Sequence, residues 1–572
     1  MAQSSSAASQ APPVPPGCKG LDDVDIVPDE GVSPLSRQLL EGCIRRAFTD
    51  AAQVTQLIEQ GADPRAAGGL RVHGGIPGRA PYSQYSCLPF AIDSLTNYPL
   101  LYASGADGSS RPVVLPQWAS RQLQRDILSA LIDGGADVNG GGWMQRPITM
   151  GIVAGNLTAV EALLARQANV RGFGVMELPY VPHAALSPTR EYEDTLMSIY
   201  RRLIQHDSTL AEERVVGDNL VHLAARATCM FSQQLIDQYL TLITSHGADM
   251  TAADRQGRTP LHEAARAGSH FLAEWLCHRL TADDVNRGLP NQPNMTPLAF
   301  AAEALYNHIR IQQQSQRRWR LRLIHEHKTI IGVLLRAGAA PSIARMPTAT
   351  EDQRRLRQLV LAEYAAVLSE LSEAVMSAIN GALAPQRDHL MLLARLLPLA
   401  PHHDGAHPHP SPSNMAFGPH EAEAIGWKIG AFLHEPPAAV AAIDEYLIGE
   451  SVLRRRVKAA VGHFVKSAAT QTSSNREVVG GTRYEQQGDK RVKVTAPPLQ
   501  CFRVGGVGGR KMGVRKVVHR ARLDEAGTHG VPLEGVVKGF NEHLGDQDCQ
   551  FEWGQLGRID RTTGLFVSLG ID

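Results

Sequence analysis

Nothing in this sequence points to export, to a membrane span or to a cysteine framework. The seven cysteines, Cys18, Cys43, Cys87, Cys229, Cys277, Cys501 and Cys549, stand singly, with no Cys-x-x-Cys pair among them. Isolated thiols of this kind argue against a disulfide-stapled domain and suit a reducing compartment with buried free cysteines. No run of about 18 uncharged apolar residues occurs; the closest approach, LMLLARLLPLA from Leu390, is short and holds Arg395 and Pro398. The N-terminal stretch MAQSSSAASQAPPVPPG lacks the apolar core of a signal peptide. Net charge is missing too: 57 Lys plus Arg balance 57 Asp plus Glu, so whole-chain charge gives no hint of nucleic acid or membrane. These absences lead us to expect an intracellular protein, cytoplasmic rather than nuclear, with no transmembrane segment.

What is present is length and internal repetition. The chain has 572 residues, 43% of them apolar, which is too long for one ordinary core and suits several domains or an elongated array. From Asp254 it reads DRQGRTPLHEAARAGSHFLAEWL. Weaker copies flank that segment. Upstream, GDNLVHLAARA keeps Gly217, His222, Ala224 and Ala225, and LITSHGAD follows to Gly247; downstream, NMTPLAFAA keeps Thr296, Pro297, Leu298, Ala301 and Ala302, and IIGVLLRAGAAP closes at Gly338. Further back, RPITMGIVAGNLTAVEALLARQAN places Pro147, Gly155, Leu163 and Leu164 in step, and LIDGGAD and LIEQGAD end helices at Gly135 and Gly61. At least five units are therefore readable.

The physical logic is a glycine turn, a Thr-Pro helix start, and alanines where neighbouring helices approach closely. A second, apolar helix then ends at a glycine able to take the left-handed cap conformation. Pro147 and Leu220 hold the same place but lie 73 residues apart, roughly two periods of about 33 plus insertions, which implies a sixth unit between them. TREYEDTLMSIYRRLIQHDSTL fits its second helix. Two units are stretched, with 46 residues from Pro89 to Gly135 and 41 from Pro297 to Gly338, against 20 from Pro147 to Gln167.

Through Gly257, Thr259, Pro260, Leu261, His262, Ala264, Ala265 and Gly268 the best copy resembles the ankyrin consensus. The resemblance covers residues 34–345 and implies a protein-binding solenoid with no catalytic centre, whose partner is set by individual side chains. It also implies that His222 and His262 are structural, tying turns to neighbouring backbone.

The expected organisation is mainly α. A disordered tail (1–33) precedes ankyrin-type repeats with insertions (34–345), followed by a capping helix (346–383), in which Leu356, Leu359, Val360, Tyr364, Val367, Leu368 and Leu371 share one face. A Pro/His-rich linker (384–419) and a helical segment (420–469), divided at Pro436 and Pro437, come next. The tail (470–572) is either a small β-rich domain or disordered, with RVKVT at Arg491 and a hairpin turning at Asp560 to Gly564 as its strand signals. Charge is partitioned there: Arg454 to Arg520 holds 16 Lys/Arg against three acids, a net of +13, and Ala521 to Asp572 holds four against nine.

Several constellations invite a chemical reading. His402, His403, His407 and His409 with Asp404 have enough donors for a metal, but a Pro-rich linker does not preorganise them. The run GGVGGRKMG from Gly505 lacks the GK[ST] of a phosphate loop and puts Met512 where a hydroxyl is needed. Cys229 and Cys277 sit in repeat helices that want small buried residues. The insertion around Arg310, Arg317, Arg318, Trp319, Arg320, Leu321 and Arg322 resembles a basic amphipathic calmodulin target, and a solvated basic helix face is its plainer reading. No catalytic residue, metal site or cofactor is expected.

The expected function is a non-enzymatic scaffold or adaptor that binds an unidentified protein across the repeat face. Its contacts are expected at positions the consensus leaves free: Arg255, Arg258, Glu263 and Arg266 in the best unit, Asp218 and Arg226 one unit earlier. The alternative is an anion-directed module, in which basic residues 454–520, through Arg454, Arg455, Arg456, Lys490, Arg491 and Lys493, engage nucleic acid or an acidic membrane while the repeats recruit a partner.

Overall fold

A computed structural model describes residues 14–396, apart from 75–80, 82, 95–100, 106, 143–144, 173, 180–187, 227–230 and 316–317. Beyond these it describes 429, 436–470, 476–479, 482–487, 490–495, 499–505, 511–537, 557–559, 562–563 and 565–568. Of the strands between 476 and 513, only the backbone is described. The chain is mainly α and divides into two compact units, Met1–Leu272 and Ala273–Asp572.

The first unit is a double row of helices. One row holds α1 (Pro34–Arg45), α3 (Cys87–Phe90), α5 (Pro147–Val153), α8 (Leu220–Arg226) and α10 (Pro260–Ala267). The other holds α2 (Ala51–Glu59), α4 (Arg121–Asp133), α6 (Leu157–Ala165), α7 (Arg190–His206) and α9 (Gln233–Ser245), packed in that order. The segment expected as the second helix of a sixth unit is thus α7, with Tyr192, Leu196, Tyr200 and Leu203 buried. Each start follows from a local cap: Ser33, Asp50, Ser120, Asn156, Thr189 and Ser232 accept hydrogen bonds from backbone N–H groups of the first turn. The ends are set by left-handed residues, Gly61 (φ 104°), Gly135 (φ 101°) and Gly247 (φ 104°), with Gln167 (φ 59°) in the third unit.

Gly257 has φ 80° in the turn before α10, a conformation that favours glycine and penalises a β-branched residue. Gly257→Val is therefore expected to lower unfolding free energy by at least about 1 kcal/mol, read by denaturant titration.

Residues 14–33 depart from the expected disordered tail. A 3-10 turn (Leu21–Asp23) leads into β1 (Val24–Pro28), which pairs antiparallel with β2 (Ala67–Val72). The same sheet takes in β3 (Tyr85–Ser86), β4 (Leu101–Ser104) and β5 (Ser110–Val113), and Val24 is buried against it. The partner of β1 lies about forty or more residues away, between the first helix pair and α3, so composition near the terminus does not reveal it. A short hairpin, β6 (Arg214–Val215) and β7 (Asp218–Asn219), precedes α8. From α10 the helix α11 (His270–Cys277) leads into the second unit.

The second unit is built around one long helix. α12 (Ala282–Val285) is followed by the paired helices α13 (Pro297–Ser315) and α14 (Arg318–Arg336), which span the stretch from Pro297 to Gly338, and by α15 (Pro341–Arg345). α16 runs from Glu351 to Leu396, continuing past 383 and through Pro385, where the sequence suggests a linker. It is central rather than terminal: α13 and α14 pack on it, as do α17 (Pro436–Tyr446), α18 (Val452–Thr470) and α19 (Val514–His529). Val360, Tyr364, Val367, Leu368 and Leu371 are buried as their spacing predicts, and Leu356 and Leu359 are partly exposed.

Strands β8 (Arg476–Val479), β9 (Thr482–Gln487), β10 (Lys490–Thr495), β11 (Leu499–Gly505) and β12 (Lys511–Gly513) pair as β9 with β10 and as β8, β11 and β12 in a second sheet. β13 (Gly557–Ile559) and β14 (Phe566–Ser568) form the hairpin foreseen at the C-terminus. α19 is unforeseen. Its Arg522 is fully buried and donates to the carbonyls of Leu368 and Val537, while Tyr364 donates to Glu525 at 2.7 Å. Burial lowers the Arg522 pKa to about 10.

Candidate functional site

The turn face around α8 and α10 gathers most of the singled-out residues. Ala224, Ala225, Ala264 and Ala265 are fully or almost fully buried, letting the two helices approach closely. His222 is also buried, and its Nε2 donates to the Arg258 carbonyl at 2.9 Å while Nδ1 lies against the Asn219 N–H at 3.4 Å. Burial lowers its pKa, against the backbone bond to Arg258 and the charges of Asp218, Asp254 and Glu263. His262 Nδ1 meets the Thr259 hydroxyl at 2.8 Å and its N–H at 3.2 Å. Both rings thus fix turn geometry.

The consensus-free positions do not all face solvent. Asp218, Arg226, Arg258, Glu263 and Arg266 come together in one ion-pair network, and Arg255 stays outside it, exposed. The Glu263 side chain is 0% exposed. It pairs with Arg258 at 2.7 Å, Arg266 at 2.8 Å and Arg226 at 3.4 Å; Arg226 also holds Asp218 at 2.7 Å, and Arg258 holds Asp254 at 2.8 Å. Glu263 therefore does not project as expected. Three arginines from two units converge on it, a long-range arrangement that spacing along one helix does not disclose. Burial pushes its carboxyl up, but Arg266, Arg258 and Arg226 outweigh this and leave it below the ordinary value.

Glu177, not singled out from the sequence, borders the same network. Burial raises its carboxyl pKa to about 7; Arg226 opposes the rise, and Glu213 and Asp218 add to it. A carboxyl raised in the folded state contributes stability fully below its unfolded value, here 4.5, and loses it as pH rises through the folded value. The penalty of ionising Glu177 should thus grow from pH 4.5 and be complete above about 7. Glu177→Gln is expected to melt higher than wild type at pH 8 by about 1 kcal/mol, the shift being discounted for partial exposure, and to match it at pH 4.5. Parallel melting curves with pH would show that Glu177 does not titrate in this window.

The basic residues proposed for anions are divided. Arg454 pairs with Asp444 at 2.8 Å, and Arg456 lies 3.9 Å from Asp524, while Arg455 is exposed. Lys490, Arg491 and Lys493 sit on β10, with side chains outside the described residues. His402, His403, Asp404, His407, His409, Cys229 and residues 506–510 of the glycine run also lie outside them. Cys277 is buried, as a repeat helix wants. On α14, Arg322 pairs with Glu326 at 2.7 Å and Leu321 is 55% exposed; the side chains of Arg317, Arg318 and Trp319 are outside the described residues. No described helix is long and apolar enough to cross a membrane.

Helix pairs in two rows, three of them closed by a left-handed glycine, with buried His222 bonding the following turn, form a helical-repeat arrangement. Residues 256–288 match the sequence profile of the ankyrin repeat, and the chain is an ankyrin-repeat protein. It is similar to two curated proteins of Microplitis demolitor bracovirus (isolate Webb), I-Kappa-B like protein I1 and I-Kappa-B like protein F2. Each is 34% identical over 88 residues, covering 15% of this chain and 48% of the relative. The chain thus spans about half the length of the curated relatives it matches. Ankyrin repeats as a family bind proteins.

Proposed function

We propose that this protein is a non-enzymatic scaffold or adaptor that holds another protein against the turn face of its repeats. The weaker copies along 34–345 are repeats of the same kind, and within Met1–Leu272 the row of first helices with their turns forms the contact face. The observation that carries this reading is the use of buried polar groups inside the turns: His222 and His262 bond backbone and Thr259, which stiffens the framework and leaves exposed turn residues such as Arg255 to set specificity. The likeness to I-Kappa-B like proteins supports a protein ligand. The anion-directed alternative is weakened on α18, where Arg454 is engaged by Asp444.

A photo-crosslinkable residue placed at Gln256, exposed in the same turn, and in a second variant at Gln234 on α9, tests the reading in cells. Protein adducts concentrated at Gln256 are expected. Equal yields at both positions, or none at either, would overturn it.

A further inference from the structure

The β6–β7 hairpin turns on two residues, Val216 and Gly217, with φ 57° and 102°. Two positive φ values in a two-residue loop are the type I′ pattern, for which Asn-Gly is the favoured pair. A β-branched residue in the left-handed region is an outlier. Val216 nevertheless stands there, 73% exposed, more than any other large hydrophobic among the described residues. Such exposure leaves the strained side chain without a role in the core, and strain of this kind persists where a function needs the group displayed.

Two arginines flank it. Arg214 is exposed on β6. Arg255, exposed on the following unit's turn, lays its stem across Gly217, where an added Cβ would lie 2.9 Å from Arg255 Cγ. Neither pairs with a carboxylate among the described residues, in contrast to Arg226, Arg258 and Arg266. The nearby acids are differently placed: Glu213 accepts from the Gly172 N–H at 2.5 Å, and Glu212 lies against Gly247. The tip is thus an apolar side chain between two uncommitted guanidinium groups on a short, hydrogen-bonded hairpin.

We infer that Arg214, Val216 and Arg255 form a docking tip for an acidic protein segment carrying an apolar side chain between its carboxylates. This deepens the protein-binding reading and rests on it. Guanidinium groups recognise carboxylates with two parallel hydrogen bonds, Val216 gains by leaving water, and a pre-formed turn loses little freedom on binding.

The test is fluorescence anisotropy with the full chain and a labelled synthetic peptide of alternating glutamate and leucine. Arg214→Glu combined with Arg255→Glu should weaken binding at least about tenfold, and raised salt should weaken the wild-type complex. Val216→Asn suits the turn better, so it should keep or raise the melting temperature while weakening binding about threefold or more. A peptide with serine replacing leucine should bind like the Val216→Asn case. No binding of the acidic peptide, unchanged binding by the charge-reversed chain, or preference for a single-stranded oligonucleotide overturns the inference. A protein that still crosslinks to the turn face of the charge-reversed chain overturns this tip and leaves the broader protein-binding reading standing.

Discussion

Asp93→Ala is expected to lower unfolding free energy by about 3–5 kcal/mol, enough to unfold a marginal repeat array. The Asp93 side chain is 0% exposed and accepts four hydrogen bonds: from the Trp118 N–H at 2.8 Å, Arg121 Nη1 at 2.6 Å, Gln124 Nε2 at 3.0 Å and Asn156 Nδ2 at 3.0 Å. Arg121 is one-third exposed and can turn to water. Gln124 Nε2 keeps the Ala91 carbonyl, and Asn156 Nδ2 keeps the Asp93 carbonyl and Gln124 Oε1, but the buried Trp118 N–H loses its acceptor. A buried donor left unpaired costs about 1–3 kcal/mol, and Asn156, which loses one of its contacts, also caps α6, so the loss reaches the next unit. Asp93→Asn keeps an acceptor and should fall between wild type and alanine. Denaturant titration of the three chains checks the order; a loss below about 1 kcal/mol for alanine would mean water replaces the carboxylate.

The second large effect is expected at Glu263. Glu263→Ala removes the shared partner of three arginines and should lower stability by about 3 kcal/mol, with Arg258, the most enclosed, left to Asp254 alone among its carboxylate pairs. Arg226 and Arg266 are 38% and 47% exposed and recover hydration, which keeps the value at the lower end for a buried pair. Because its folded pKa is depressed, Glu263 contributes stability above its unfolded value of 4.5 that disappears as pH falls through the folded value. Acid titration of stability should therefore be shallower in Glu263→Gln than in wild type. Weakened partner binding at unchanged stability would instead make Glu263 a contact residue.

The readable part of this fold was the part specified by neighbours in sequence. Thr259-Pro260, the alanine pairs, Gly61, Gly135 and Gly247 each act within a turn or two, so spacing shows them, and even α7 was legible through its 3.6-residue apolar period. β1 was not, because its pairing partner is remote. α19 was not, because its basic face hides the burial of Val517, Val518 and Arg522 against α16. The candidate site divides the same way. Arg255 lies exposed in the turn before α10, but being free of a consensus does not mean being free of contacts, and Glu263 is enclosed by arginines from both α8 and its own turn. Val216 carried a signal in the sequence, since Val-Gly replaces the usual Asn-Gly in a two-residue turn, but the signal has meaning only once the hairpin is known.

The position of α16 has a practical consequence for dividing this chain. A fragment cut at 383, the boundary expected from the sequence, would keep Val360, Tyr364, Val367, Leu368 and Leu371 while discarding α17, α18 and α19, which pack on that helix. It would also strip the Leu368 carbonyl of Arg522 and the Val367 carbonyl of the Tyr446 hydroxyl. Such a fragment would present a sticky apolar stripe to every protein in an extract. Partners retrieved with it would report the wound of the cut rather than the specificity of the repeats.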